Sequence, residues 1–143
     1  MGNLYDTDIV AWAEQQAAFL RRGEWSSLDI ENLAEEIEDV GKSEQRELHS
    51  RMAVLLSHLL KWQFQPELRG KSWCATIELQ RSMIARRLRK TPSLQRLLID
   101  EEWLKDLWEE AASFAMTETG LDEFPGHPFW TITDILDPEF FPD

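Results

Sequence analysis

Apolar positions along this chain repeat at the spacing of an α-helix, about 100° per residue. From Thr7 to Arg22, Ile9, Trp12, Ala13, Gln16, Phe19 and Leu20 share one face, and Gly23 can supply a left-handed stop. A second helix is predicted over Ser27–Val40. There Ile30, Leu33, Ile37 and Val40 form a narrow apolar stripe, Ser27 or Asp29 can cap the start, and Gly41 can end it. Ser43 opens a third helix through about Phe64. Its stripe of Leu48, Met52, Leu55, Leu59 and Trp62, widened by Leu56 and Leu60, is broad enough for a central helix. Gln65-Pro66 through Gly70 breaks the pattern, and Trp73, Ile77, Ile84 and Leu88 share a side of a fourth helix over Ser72–Lys90. Thr91-Pro92 is a start signal for a fifth helix running to Thr119 before Gly120. On it Leu97, Leu104, Trp108, Ala111 and Ala115 face one way, with Trp103, Leu107 and Phe114 on the adjoining flank.

The tail Leu121–Asp143 changes character, with four Pro and with Phe124, Phe129, Trp130, Phe140 and Phe141 in twenty-three positions. Disordered segments are poor in aromatic residues. The tail is therefore expected to wrap across the helices, with one short helix near Ile132–Leu136 capped by Thr131 and ended by Asp137-Pro138. Short connections favour antiparallel neighbours. The expected fold is all-α: an antiparallel up-and-down bundle of four or five helices within a single domain, residues 1–120 forming the bundle and 121–143 the wrap.

Composition narrows the function classes. Against 15 Lys+Arg stand 27 Asp+Glu, a net of −12, in a chain that is 43% hydrophobic and holds seven Trp. That apolar content excludes a wholly disordered acidic tail. The acidic field repels phosphate backbones and anionic lipid, so nucleic-acid and membrane-surface binding are disfavoured. Even the apolar run Met52–Leu60 is interrupted by Ser57 and His58 and is far shorter than the roughly 20 residues a membrane helix needs. The first thirty residues show no export core, and the single Cys74 excludes an internal disulfide and a Cys-based zinc cluster. These readings point to a cytoplasmic protein. The charge is also segregated: residues 61–90 carry +6, while 1–60 carry −7 and 91–143 carry −11.

Three residues stand out as a candidate inter-helix polar cluster. Glu36 falls at the edge of the apolar stripe, whereas its neighbours Glu35 and Glu38 point away from it. Arg81 falls among Trp73, Cys74, Ile84 and Leu88, where an unpaired guanidinium would cost several kcal/mol. Arg81 is expected either to pair with a carboxylate of another helix, where a bidentate pair with Glu36, the preferred partner, would satisfy both groups, or to open onto a polar cavity. His58 flanks the wide stripe of the third helix, as a hydrogen-bonded structural histidine would. It lies on the opposite side of that helix from His49 and lacks the spacing of a metal-binding helix. Cys74 reads as a buried structural thiol with no base placed beside it. No phosphate-cradling glycine loop, dinucleotide fingerprint or serine-hydrolase elbow occurs, so no cofactor and no metal ligand is expected.

Several blocks resemble one family. Leu4-Tyr5-Asp6-Thr7-Asp8 with Trp12, the run Leu28–Glu38, His58-Leu59-Leu60-Lys61-Trp62-Gln63 and Leu136-Asp137-Pro138 resemble the bacterial family called "domain of unknown function 29". The resemblance implies a small α-helical domain that stands alone, and it brings no catalytic residue. From the residues themselves, the leading expectation is a non-catalytic interaction module that binds itself as a homo-oligomer or binds another protein. Trp25 and Trp103, which lie off the main stripes, motivate it, since Trp is enriched at binding hot spots. The alternatives are a metal-dependent or anion-binding enzyme with an inter-helix site at Glu36, His58 and Arg81, and a nucleic-acid or toxin-antitoxin-type regulator using residues 81–90.

Overall fold

The computed structural model describes residues 3–122 and 124–143. Its fold is an all-α helical bundle, with no strand among the described residues. The α-helices are α1 (Leu4–Thr7), α2 (Ile9–Arg22), α3 (Ile30–Phe64), α4 (Lys71–Lys90), α5 (Glu101–Thr119) and α6 (Ile132–Leu136), with 3-10 segments at Trp25–Ser27, Pro66–Leu68 and Pro92–Ile99. The chain divides into two compact units, Met1–Glu44 and Gln45–Asp143.

The first unit is a helical hairpin built around one tryptophan. The Asp8 side chain caps α2 by accepting from the Ala11 N–H, and Gly23 ends it in the left-handed region at φ 69°. Trp12 and Gln16 are the buried residues of α2. Trp12 Nε1 donates to Asp29 Oδ2 at 3.0 Å, and Gln16 Oε1 accepts from the Asp29 N–H at 2.8 Å, so polar groups hold the start of α3 against α2. The Asn32 amide also donates to Asp29, at 2.8 Å. These bonds hold the Asp29 carboxyl below its usual range, Asn32 being the largest cause. Tyr5 packs edge-on against Trp12, with ring centroids 4.8 Å apart.

One predicted boundary is absent. Gly41 does not end a helix, because α3 continues through Gly41-Lys42-Ser43 to Phe64. A glycine stop depends on the left-handed conformation, and among the described glycines only Gly23 and Gly120 adopt a positive φ. The strong helix formers Glu, Gln, Lys and Arg around Gly41 outweigh its intrinsic cost of about 1 kcal/mol.

The second unit holds the hydrophobic core. Leu48, Met52, Leu55, Leu56, Leu59 and Leu60 of α3, Ile77 and Ile84 of α4, and Leu107, Trp108 and Ala111 of α5 are buried together. Each large aliphatic side chain so buried contributes about 1.5–3 kcal/mol. The tail closes this core. Phe124 and Ile135 are buried in it, Trp130, Phe140 and Phe141 pack against it, and Trp108, Phe129, Trp130 and Phe140 form a run of neighbouring rings. Helix α6 spans the predicted Ile132–Leu136, with the Thr131 side chain accepting from the Asp134 N–H. The predicted fifth helix, however, starts later than its Thr-Pro signal. Pro92–Ile99 is 3-10, which turns Leu94 and Leu97, three residues apart, into the core. Asp100 then caps α5 by accepting from the Glu102 and Trp103 N–H groups at 3.1 Å.

Candidate functional site

Arg81 lies on α4 and is 4% exposed, inward as its position on the helix predicts. Its partner is not a carboxylate. Nε donates to the Ile135 carbonyl at 2.9 Å, Nη1 to that of Pro138 at 3.4 Å and Nη2 to that of Phe140 at 2.7 Å. The guanidinium also sits over the Phe141 ring, 5.3 Å from its centroid. The Ile135 carbonyl, in the last turn of α6, lacks an intrahelical donor, and it and two carbonyls of the segment after the helix replace the expected ion pair with Glu36. Burial lowers the pKa of Arg81, and the charge of Asp137 opposes that shift. The arrangement fastens the C-terminal segment to α4.

Glu36 belongs to the first unit. Its Oε1 accepts from the Tyr5 hydroxyl at 2.6 Å. That bond, followed by desolvation and the charges of Glu36, Glu35 and Asp39, pushes the Tyr5 pKa up to about 12. Cys74 is half-buried and not fully enclosed as expected; its thiol points to Glu78 at 3.5 Å and is held protonated by desolvation and by that carboxylate. Trp103, off the main stripe, stacks edge-on against His49, which also reaches Glu110 at 2.8 Å.

His58 and a lysine that the helical pattern did not single out lie together in the second unit. His58 Nδ1 is 2.9 Å from the Val54 carbonyl, which fixes the proton on Nδ1 and leaves Nε2 as an acceptor. Burial lowers the His58 pKa, with the nearby Lys61 charge adding to the fall and Glu118 opposing it. Lys61 is 4% exposed; its ammonium donates to Glu118 and sits 5.2 Å from the centre of the Trp73 ring. Lys61 borders a cavity of about 300 Å³ that Gln65, Leu68, Trp73, Glu118 and Thr119 also line. The buried Gln65 Oε1 has no hydrogen-bond partner. A signal for this group exists in the sequence: the C-terminal half of α3 is apolar on nearly every side, so a lysine within it must be buried.

The largest departure from the predicted pattern is in the first unit. The stripe Ile30, Ile37 and Val40 is 65%, 71% and 68% exposed, and Val10 of α2 is 65% exposed. Ile9, Leu20 and Trp25 are exposed as well. Hydrophobic residues scattered singly on a surface are ordinary, but a contiguous group is not.

Among the described residues, no set of three or more His, Cys, Asp or Glu side chains is placed to hold a metal ion, and no helix is long and apolar enough to cross a membrane. The fold and these sites define an all-α protein whose second unit holds a helical core and whose first unit is an apolar-faced helical hairpin. The chain belongs to the family described as "Domain of unknown function DUF29", whose model matches residues 4–141. No curated protein and no solved structure matches it.

Proposed function

We propose that this protein is a helical interaction module without catalysis of its own, and that the open face of its first unit is the surface that binds another protein. One observation carries the reading: large aliphatic side chains at helical spacing stand in solvent on both α2 and α3. Transferring such side chains out of water is favourable at about 25 cal/mol per Å², so the face gains most when a partner covers it. Trp25, exposed at the turn of the hairpin, is the residue type most enriched among binding hot spots. The single Cys, with its thiol free, supports a reducing cytoplasmic setting. Tagged protein recovered from its native host should elute well above 16.8 kDa. The double variant Ile37→Asp/Val40→Asp should elute as a monomer with an unchanged far-UV spectrum. A complex that survives both substitutions refutes the reading.

A second reading, capture of a small zwitterion beside Lys61, is favoured by the unpartnered Gln65 Oε1, an acceptor that asks for an N–H donor, at the same cavity. A ligand with an anionic group and an N–H donor, such as a free amino acid, would meet both groups. A free amino acid should then raise the melting temperature of the parent protein and leave Lys61→Met unchanged; no rise in the parent removes this reading.

A further inference from the structure

The open face has a definite sidedness and a charged border, and together these specify what it takes. Three contacts set the direction of the hairpin: Tyr5 of α1, packed on Trp12, meets Glu36, whereas Trp12 and Gln16 of α2 both meet Asp29, just before α3. Low numbers on one arm face high numbers on the other, so α2 and the start of α3 run antiparallel. At about 100° per residue, the side of α2 that meets α3 is centred on Trp12, Gln16 and Phe19. Ile9, Ala13, Leu20 and Val10 follow it at roughly +100° in the sense of increasing residue number. On the α3 arm the residues bonded to α1 and α2 are Glu36 and Asp29, the latter just before the helix, and Ile30, Ala34 and Ile37 follow that side at roughly +120° in the same sense. A common rotational sense on two antiparallel helices brings both sets to the same side of the pair. The exposed aliphatics of α2 and α3 therefore form one face with a groove between the helices, and not two unrelated patches.

That face is bordered by carboxylates. Beyond the stripe on α3 stand Glu31 and Glu38, both exposed, and beyond that on α2 stands Glu14, also exposed, with Arg21 on α2 and Lys42 on α3 the basic residues on this border. Residues 1–44 as a whole carry eleven carboxylates against three basic side chains, a net of −8. A second copy of the same unit would bring −8 against −8. Like charges placed across an interface disfavour it, whereas opposite charges steer the encounter and set the choice of partner. A two-helix groove is filled by a third helix, read through anchors at i, i+3 or i+4, and i+7.

Building on the interaction reading above, we infer that the first unit receives a cationic amphipathic helix of another protein, with an aliphatic stripe in the groove between α2 and α3 and Lys or Arg flanks against Glu14, Glu31 and Glu38. The helix completes a three-helix bundle with the hairpin.

The test uses the full-length chain and two synthetic helical peptides that share one Leu stripe, one with Lys flanks and the other with Glu flanks. Fluorescence anisotropy should show the Lys peptide binding at least about tenfold more tightly than the Glu peptide, with an affinity that falls as salt rises. Ile37→Asp should abolish binding of the Lys peptide although it makes the protein more acidic, which separates docking in the groove from loose charge attraction. Glu31→Lys/Glu38→Lys should reverse the preference. Equal binding of the two peptides, or Lys-peptide binding that is indifferent to Ile37→Asp, overturns the inference. If neither peptide binds and the chain sediments as a dimer that Ile37→Asp dissociates, the inference fails but the interaction reading stands. If neither peptide binds and the complex from the host also survives Ile37→Asp/Val40→Asp, both fail.

Discussion

Arg81 is held by three backbone carbonyls of the C-terminal segment, and Glu36 by the Tyr5 hydroxyl. The helical count placed Arg81 inward, and it is buried. The same count offered a carboxylate partner, whereas the guanidinium is met by the carbonyls of Ile135, Pro138 and Phe140. Backbone acceptors carry no residue code, so this partner was not legible in the sequence. Arg81→Met removes all three bonds and leaves the buried Ile135 carbonyl without this donor, at about 1–3 kcal/mol, while the less buried Pro138 and Phe140 carbonyls lose theirs. The expected result is a loss of at least about 2 kcal/mol in denaturant unfolding, together with earlier proteolysis after Leu121 than in the parent. Tyr5 gives a second test, because it is the only tyrosine. Its pKa, pushed up to about 12 from 10.0, means that the neutral phenol is favoured by folding. That contribution is complete below pH 10 and is lost as pH rises through about 12. Alkaline titration of tyrosinate absorbance should give a midpoint well above 10, and Glu36→Gln should bring it back towards 10. An unshifted midpoint in the parent contradicts the bond.

At the scale of elements, the periodicity located most helices because most of them bury the face it marks. The end of α2 at Gly23, the start of α4, the end of α5 at Gly120 and the whole of α6 follow from local chemistry: a left-handed glycine, a proline break or a threonine cap. Two boundaries were not legible. Whether Gly41 stops a helix or lies within it depends on which side of it gains more, and α3 runs through. Whether Pro92 opens an α-helix or a 3-10 segment depends on how Leu94 and Leu97 reach the core. The first case yields a sign test. A Cβ at Gly41 meets nothing within 4 Å, and Ala is favoured over Gly inside a helix by about 0.5–1 kcal/mol. Gly41→Ala should therefore raise stability by about that amount. Gly23→Ala should lower it, since φ there is +69°. Destabilisation by Gly41→Ala would mean that the helix breaks there.

Across the whole molecule, charge and apolar surface are distributed for different tasks. The core of the second unit collects nearly all the buried aliphatic and aromatic residues, while the first unit combines a net −8 with exposed Ile, Val and Trp. In sequence the two kinds of apolar stripe look alike: Ile30, Leu33, Ile37 and Val40 have the spacing of a core-facing helix. Periodicity reports that a face is apolar but not what covers it, which is why the buried core was legible and the open face was not. Lys61 counts as polar in the periodicity, and only its place in the apolar C-terminal half of α3 marks it as buried. The most direct measurement is a photo-crosslinking scan in the native host, with a photoreactive residue placed in turn at Val10, Ala13, Ala34 and Ile37, and at Gln15 and Glu35 as controls on the far side of each helix. A partner helix seated on this face gives one discrete adduct from the first four positions, of a mass other than twice 16.8 kDa, and none from the two controls. Adducts that ignore the helical spacing, or no adduct at any position on the face, would contradict it.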